Sequence, residues 1–438
     1  MTNRPGAANA GCHGCQEFQR LSRRGFLMGA GALAAAAAWP AWLPRVVLAR
    51  DHSSAHRDVV VSIFLRGGAD GLTICPPWGD PAYYAARPTI AIPRPDSTSS
   101  NRAINLDGFF GLAPAFAPLM PAWNNDHLLI AHACGSTVAT RSHFAGQYNV
   151  ESARGTDGSV STGWIGRHLA NVAPAVENPL LRGAGVSLSA LQDSLVGGPR
   201  TLPVPQDLST FGINGSLADP VVLNLVTQMF NKAPEPMRTS ALDTISTVNL
   251  LRNVDFDSYS PAAGVVYPQG QFALSLKHVA ALIKAQVGVE SVALDSGGGW
   301  DTHALQGPHS GDMAALMSGL ASALAAFYAD MTAGNAPGVT IVVMTEFGRS
   351  LAENGSQGTD HGYGGAMLVL GPCVQGGRVL TDWPGLAPHQ LHDGRDLKVT
   401  TDYRDILAEI LAIRAGATNL DAVFPGYTPT FRGVVANC

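Results

Sequence analysis

Two apolar runs with a polar loop between them constrain this chain more than any other feature. Val339 to Met344 is unbroken by charge and rich in β-branched side chains, the pattern of a buried strand. It ends at Thr345-Glu346. The loop that follows, with LAENGSQG at its centre, leads to Asp360-His361-Gly362, and a second apolar run extends from Ala366 to Leu370. Glu346, Asp360 and His361 are therefore expected to share one rim of a sheet. In open α/β sheets, ligands bind at the rim formed by the carboxyl ends of the strands.

Other runs repeat the pattern. Asp58 to Arg66 (DVVVSIFLR), Leu128 to Cys134 (LLIAHAC) and the shorter Ser291 to Leu294 all read as buried strands. The first ends in Gly67-Gly68-Ala69-Asp70-Gly71. The second runs through GSTVATR into Ser142 and a helical segment, SHFAGQYNVESA. The third leads to Gly297-Gly298-Gly299-Trp300-Asp301-Thr302-His303. A helix over Met313 to Met331 and a terminal helix in TTDYRDILAEILAIRAG, capped by Thr401 or Asp402, complete the alternation. This order predicts an α/β fold with a doubly wound, mostly parallel sheet. Between Gly71 and Leu128, a stretch rich in Pro and Tyr (PPWGDPAYYAARPTIAIPRP) reads as a long surface excursion. Residues 174–288 read as a mostly helical crossover or cap. LLRGAGVSLS has strand character there, while PVVLNLVTQMF, ALDTISTVNLLRNV and FALSLKHVAALIKAQ have helical periodicity.

The N-terminus reads as an address, not as part of the fold. Ser22-Arg23-Arg24-Gly25-Phe26-Leu27 is a twin-arginine pattern, followed by the apolar run MGAGALAAAAAWPAWLP and a small-residue cleavage site at Val47-Leu48-Ala49. The alternative is a short N-terminal membrane anchor, but Pro40 and Pro44 interrupt that run, which is barely long enough to span a bilayer. The expectation is a signal peptide over residues 1–49, removed on export to the periplasm or beyond. It leaves one domain over residues 50–438 with no stable membrane span. The twin-arginine route carries folded proteins, which suits a chain that loads metal before export.

Loss of residues 1–49 removes five Arg and one Glu. The balance of 28 basic against 33 acidic side chains then becomes 23 against 32, a net charge of −9 in place of −5. No run of Lys or Arg remains, which argues against nucleic acid as a partner. The low charge and high glycine content permit a protein partner. Cys12-His13-Gly14-Cys15 lies upstream of the arginine pair and goes with the leader. Cys75, Cys134, Cys373 and Cys438 are too few for a disulfide scaffold, although one bridge is compatible with an oxidising compartment.

The residues that follow strands are Asp70, Ser142, Asp301, His303, Glu346, Asp360 and His361. Carboxylates mixed with imidazoles, without clustered thiols, suit a divalent metal, zinc first, with manganese, magnesium or calcium as alternatives. A two-metal hydrolytic site would draw its ligands from several strand ends in this way. Asp70 among glycines also fits a plain turn. Ser142 at a helix start fits either an N-cap or a residue facing an anion.

Several motifs in chain order resemble the DUF1501 family of twin-arginine-exported bacterial proteins. They are RRGFLMGAG, FLRGGADGL, GDPAYYAARPTIAI, TRSHFAGQ, GWIGR, GWDTH, VVMTEFGR, GTDHGYGGAMLVLG and TTDYRDILAEIL. That family is itself similar to the alkaline phosphatase-like superfamily, which includes sulfatases and cofactor-independent phosphoglycerate mutases. The resemblance implies a three-layer α/β/α sandwich, and it implies a fold more firmly than a reaction. By motif, Asp70 corresponds to the first-strand metal aspartate and Ser142 to the nucleophile. Asp301 and His303 correspond to a second-metal pair, at a closer spacing than is usual in phosphatases. Asp360-His361 aligns in two ways: as the superfamily's Asp-His pair, or with Glu346 in that aspartate's place and His361 as the later histidine. Tyr363 stands where many relatives are expected to carry His, and His309, His389 and His392 are the alternatives for a missing ligand. Arg141 and Arg349 are candidates to hold an anionic ester. The implied activity is hydrolysis of a small phosphate or sulfate ester. The competing reading is a catalytically degraded relative that serves as a binding or secretion-associated module.

Overall fold

The computed structural model describes residues 57–177, 179–187, 190–210, 220–252, 254–334 and 336–438. The expected signal peptide lies outside them. The strands in chain order are β1 (Val59–Phe64), β2 (Ile104–Asn105), β3 (Gly111–Leu112), β4 (Leu128–Gly135), β5 (Gly183–Val186), β6 (Thr201–Val204) and β7 (Ser291–Asp295). They continue with β8 (Val339–Met344), β9 (Arg349–Glu353), β10 (Thr359–His361), β11 (Gly365–Leu370), β12 (Arg378–Leu380) and β13 (Thr401–Asp402).

The central sheet runs β12-β4-β11-β8-β1-β7-β5-β6, with β13 also on β4. Every pairing in it is parallel except those of β11, which lies antiparallel between β4 and β8. The cause is the connection. Parallel neighbours need a long crossover, whereas β11 returns from β8 through the β9–β10 hairpin alone. The end of β8 and the start of β11 therefore lie at the same rim, as the two apolar runs required.

Alternation along the strands covers both faces of the sheet. Val59, Val61 and Ile63 of β1 face one apolar layer with the helices Gln271–Lys284 and Asp312–Thr332. Val60 and Phe64 face the other, with Trp164–Asn171 and Tyr403–Arg414. Asp312–Thr332 is apolar enough by length and composition to cross a bilayer. Its Met313, Met317, Leu320, Leu324 and Phe327 nevertheless belong to the first core layer. Asp402, the last residue of β13, caps the terminal helix by accepting from the Arg404 N–H.

One expectation changes. The stretch between Gly71 and Leu128 is not a surface excursion. Ile92, Phe110, Leu112, Phe116 and Leu119 are buried in the first layer, and the Tyr83 hydroxyl accepts from the Ile92 N–H. Its prolines punctuate short turns, so its apolar residues pack without forming a periodic pattern. Within residues 174–288, LLRGAGVSLS contains β5, the edge strand β6 extends the sheet beyond it, and helices follow. Cys373 and Cys438 form a disulfide, while Cys75 and Cys134 are buried thiols.

Candidate metal centre

The loop after β7 and the β9–β10 hairpin cross each other at the carboxyl rim. Asn354 Nδ2 donates to the carbonyl of His303 at 2.9 Å, and the Leu305 and Gln306 N–H groups donate to Ser356 and Gln357. Arg349 and His361 are partners across the hairpin. The crossing brings Asp301, His303 and His361 together, although a separate strand supports each side. His303 Nε2 lies 2.9 Å and His361 Nε2 3.0 Å from Asp301 Oδ1, and the two Nε2 atoms are 3.0 Å apart.

A fourth member comes from the helix α1 (His143–Ser152), which follows β4. His143, its first residue, places Nε2 3.3 Å from Asp301 Oδ2. That buried Nε2 makes no hydrogen bond. His143, Asp301 and His361 each offer a donor atom within 4.8 Å of the other two.

The protonation pattern follows from the outer partners. His361 Nδ1 lies 2.7 Å from the Arg141 carbonyl, which can only accept, so Nδ1 carries the proton. His143 Nδ1 lies 2.8 Å from Glu346 Oε1. Burial alone would raise the Glu346 carboxyl. Hydrogen bonds from His143 and Gln147 outweigh it and hold the group below its usual value, so Glu346 accepts and His143 Nδ1 donates. In the neutral rings both Nε2 atoms then carry lone pairs, and both face Asp301. The Asp301 carboxyl is itself held far below the usual range. Its burial opposes this, but the three imidazoles and the Arg349 guanidinium prevail. Lone pairs converging on a carboxylate repel unless a cation lies among them. A proton is one such cation: burial lowers the His143 pKa, yet Asp301 and Glu346 together raise it to about 9. A divalent metal is the other. Donors around a tetrahedral zinc sit about 3.3 Å apart; among the described residues His143, Asp301 and His361 offer one such atom each within 4.8 Å of the other two, with His303 beside Asp301 Oδ1. Histidines whose far nitrogen donates to a carboxylate or carbonyl are typical metal ligands.

Backbone geometry holds this arrangement from below. Gly67 has φ +129°, and a Cβ there would sit 2.5 Å from the Asp301 nitrogen, so only glycine lets the end of β1 approach so closely. Gly67 N–H also donates to Glu346 Oε1.

The remaining candidates take other places. Asp70 does not turn to the cluster. Its oxygens accept from Arg87, Thr73, Gln306 and the Leu72 N–H, and it is completely buried with Arg87. It caps the short helix Gly71–Ile74 and neutralises Arg87. Glu346 stands behind His143 and so orients its imidazole. Arg349 is buried with its donors inside the protein. It donates to the carbonyls of Gly67, Gly68, Trp300 and Thr359, and to Asp301 Oδ1 at 2.5 Å. It thus positions Asp301 and has no face for an ester. Asp360 lies outside His303, 3.6 Å from its Nδ1, and accepts from Asn354. Ser142 occupies the N-cap position of α1, is exposed, and makes no side-chain cap hydrogen bond. Arg141 is half-exposed and pairs with Asp396. The Tyr363 hydroxyl donates to the Thr137 carbonyl and its ring packs on His392; His309 and His389 are exposed. The candidate ligand that sequence reasoning missed is His143. Its signal was a histidine at a helix start with Gln147 one turn later, both reaching Glu346 Oε1.

Fold and site together define a mixed α/β protein with a histidine–carboxylate candidate metal centre at the carboxyl rim of a mostly parallel sheet. Residues 260–423 match the family model described as protein of unknown function (DUF1501), which supports the family indicated by the motifs. No curated protein and no solved structure matches the chain.

Proposed function

We propose that this chain is an exported, metal-dependent hydrolase of phosphate or sulfate esters, built on an alkaline phosphatase-like sandwich. The observation that carries this reading is the convergence of two pinned Nε2 lone pairs, and of His303, on the Asp301 carboxylate. Three imidazoles and one carboxylate favour zinc over magnesium or calcium, which prefer all-oxygen shells. A divalent ion held there would act as a Lewis acid on an ester oxygen. His143, His361 and Asp301 would hold it, and Glu346, the Arg141 carbonyl and Arg349 would fix their orientation. Ser142, next to His143 in sequence and without a cap bond, would use its hydroxyl as nucleophile. Its oxygen would bond to phosphorus or sulfur as the alcohol leaves, and water would then release the acid and restore the serine. The start of α1 favours the anion through its dipole. The Cys373–Cys438 disulfide is consistent with export to an oxidising compartment.

One observation favours a binding module instead. His303 Nε2 lies 2.9 Å from Asp301 Oδ1, and as a fourth donor it would close a tetrahedral shell, as in structural zinc sites, whereas catalytic sites keep one position open. Aryl phosphate and aryl sulfate assays on wild type and Ser142→Ala separate the two. A nucleophile predicts turnover that the alanine variant loses while keeping its metal and its melting temperature. Absence of turnover in metal-loaded wild type, or full turnover in Ser142→Ala, would remove the proposed mechanism.

A further inference from the structure

Beside His361, two exposed arginines share one buried carboxylate. Asp396 has no exposed surface. Arg141 Nη2 donates to its Oδ2 at 2.5 Å, and Arg395 Nε lies 3.5 Å from its Oδ1, an oxygen without a hydrogen bond. The two guanidinium side chains remain 44% and 43% exposed. Both residues are also tied to the candidate ligand. His361 Nδ1 donates to the Arg141 carbonyl at 2.7 Å, and Arg395 Nη2 donates to the His361 carbonyl at 3.2 Å.

One carboxylate cannot neutralise two guanidinium groups, and Asp360, 3.8 Å from Arg395, is itself half-exposed and solvated. A fold that merely needed to satisfy Asp396 would be served by one arginine. Fixing a second long side chain at the surface costs rotamer entropy for little Coulombic return. Two forked donors anchored on one acid, with outer N–H groups open to solvent, match the oxygens of a phosphate, sulfate or carboxylate.

We propose that Arg141 and Arg395, held by Asp396, form an oxyanion-recognition site beside the metal centre. It would take a second anionic group of the substrate, so that doubly anionic esters are preferred over esters with a neutral alcohol part. Only this assignment to a substrate rests on the ester-hydrolysis reading; anion binding does not.

The test is calorimetric titration of the full mature chain, treated with EDTA and dialysed, with inorganic pyrophosphate at low and at high salt. One site per chain is expected, weakened by salt. Arg395→Gln and Arg141→Gln should each weaken it at least tenfold, and Arg395→Lys, which keeps charge but not the fork, should weaken it less. No binding by wild type, or unchanged affinity in Arg395→Gln, would overturn the proposal. If the site binds pyrophosphate and metal-loaded wild type turns over no ester, the hydrolase reading fails and the anion site stands.

Discussion

His143 Nδ1 and Glu346 Oε1 lie 2.8 Å apart across 203 residues of chain, and that bond decides which nitrogen of His143 faces Asp301. The same oxygen accepts from Gln147 and from the Gly67 N–H, so Glu346 ties α1 to the ends of β1 and β8.

Glu346→Gln should therefore weaken metal binding without removing a ligand. The amide loses the charge that supports His143 and can turn an NH₂ group toward Nδ1. Outer partners of this kind are worth about 10–100-fold in metal affinity. Competition titration of zinc against a chromophoric chelator measures it, and unchanged affinity would mean that Glu346 does not orient the ligand.

Asp70→Asn should behave oppositely. It leaves the Arg87 guanidinium buried without its counter-charge, a change that costs about 3–5 kcal/mol. Urea denaturation should show that loss while metal content stays at the wild-type level. Intact stability with lost metal would return Asp70 to the ligand set.

The metal-free protein should lose stability as pH rises. The His143 pKa in the folded chain is raised to about 9, against about 6.5 when unfolded. A raised histidine stabilises fully below its unfolded pKa, and the contribution fades as pH climbs through the folded one. Between about pH 6.5 and 9 the apoprotein should lose up to about 3 kcal/mol. Metal requires the neutral ring, so the loaded protein should gain relative to the apoprotein over the same window. Parallel melting curves for the two forms across that range would contradict this.

What the sequence disclosed and what it hid divide along one physical line. β8, β11, Asp301-x-His303 and Asp360-His361 were legible because local pattern marks where a buried strand stops and polar residues begin. The shared rim was legible in the same way, whereas the antiparallel return of β11 through the β9–β10 hairpin was not. Asp70 looked like a ligand because its turn is local, whereas its partner Arg87 is fixed only by tertiary packing. Arg349 looked available because nothing local shows four carbonyls closing around a guanidinium. His143 was overshadowed by Ser142, whose place at a helix start has an obvious local meaning. The meaning of His143 lies in Glu346, on another strand. The burial of Ile92, Phe110 and Phe116 was hidden in the same way, because prolines break the periodicity that exposes a core residue to inspection.

His143, Asp301 and His361, with His303 beside them, are the residues expected to hold one divalent ion. The direct measurement is metal content per chain by plasma mass spectrometry, on protein purified without chelator and dialysed against trace zinc. About one zinc per chain is expected in wild type, and little or none in His143→Ala and Asp301→Ala at unchanged circular dichroism. Metal-free wild type, or a full complement in His143→Ala, would contradict it.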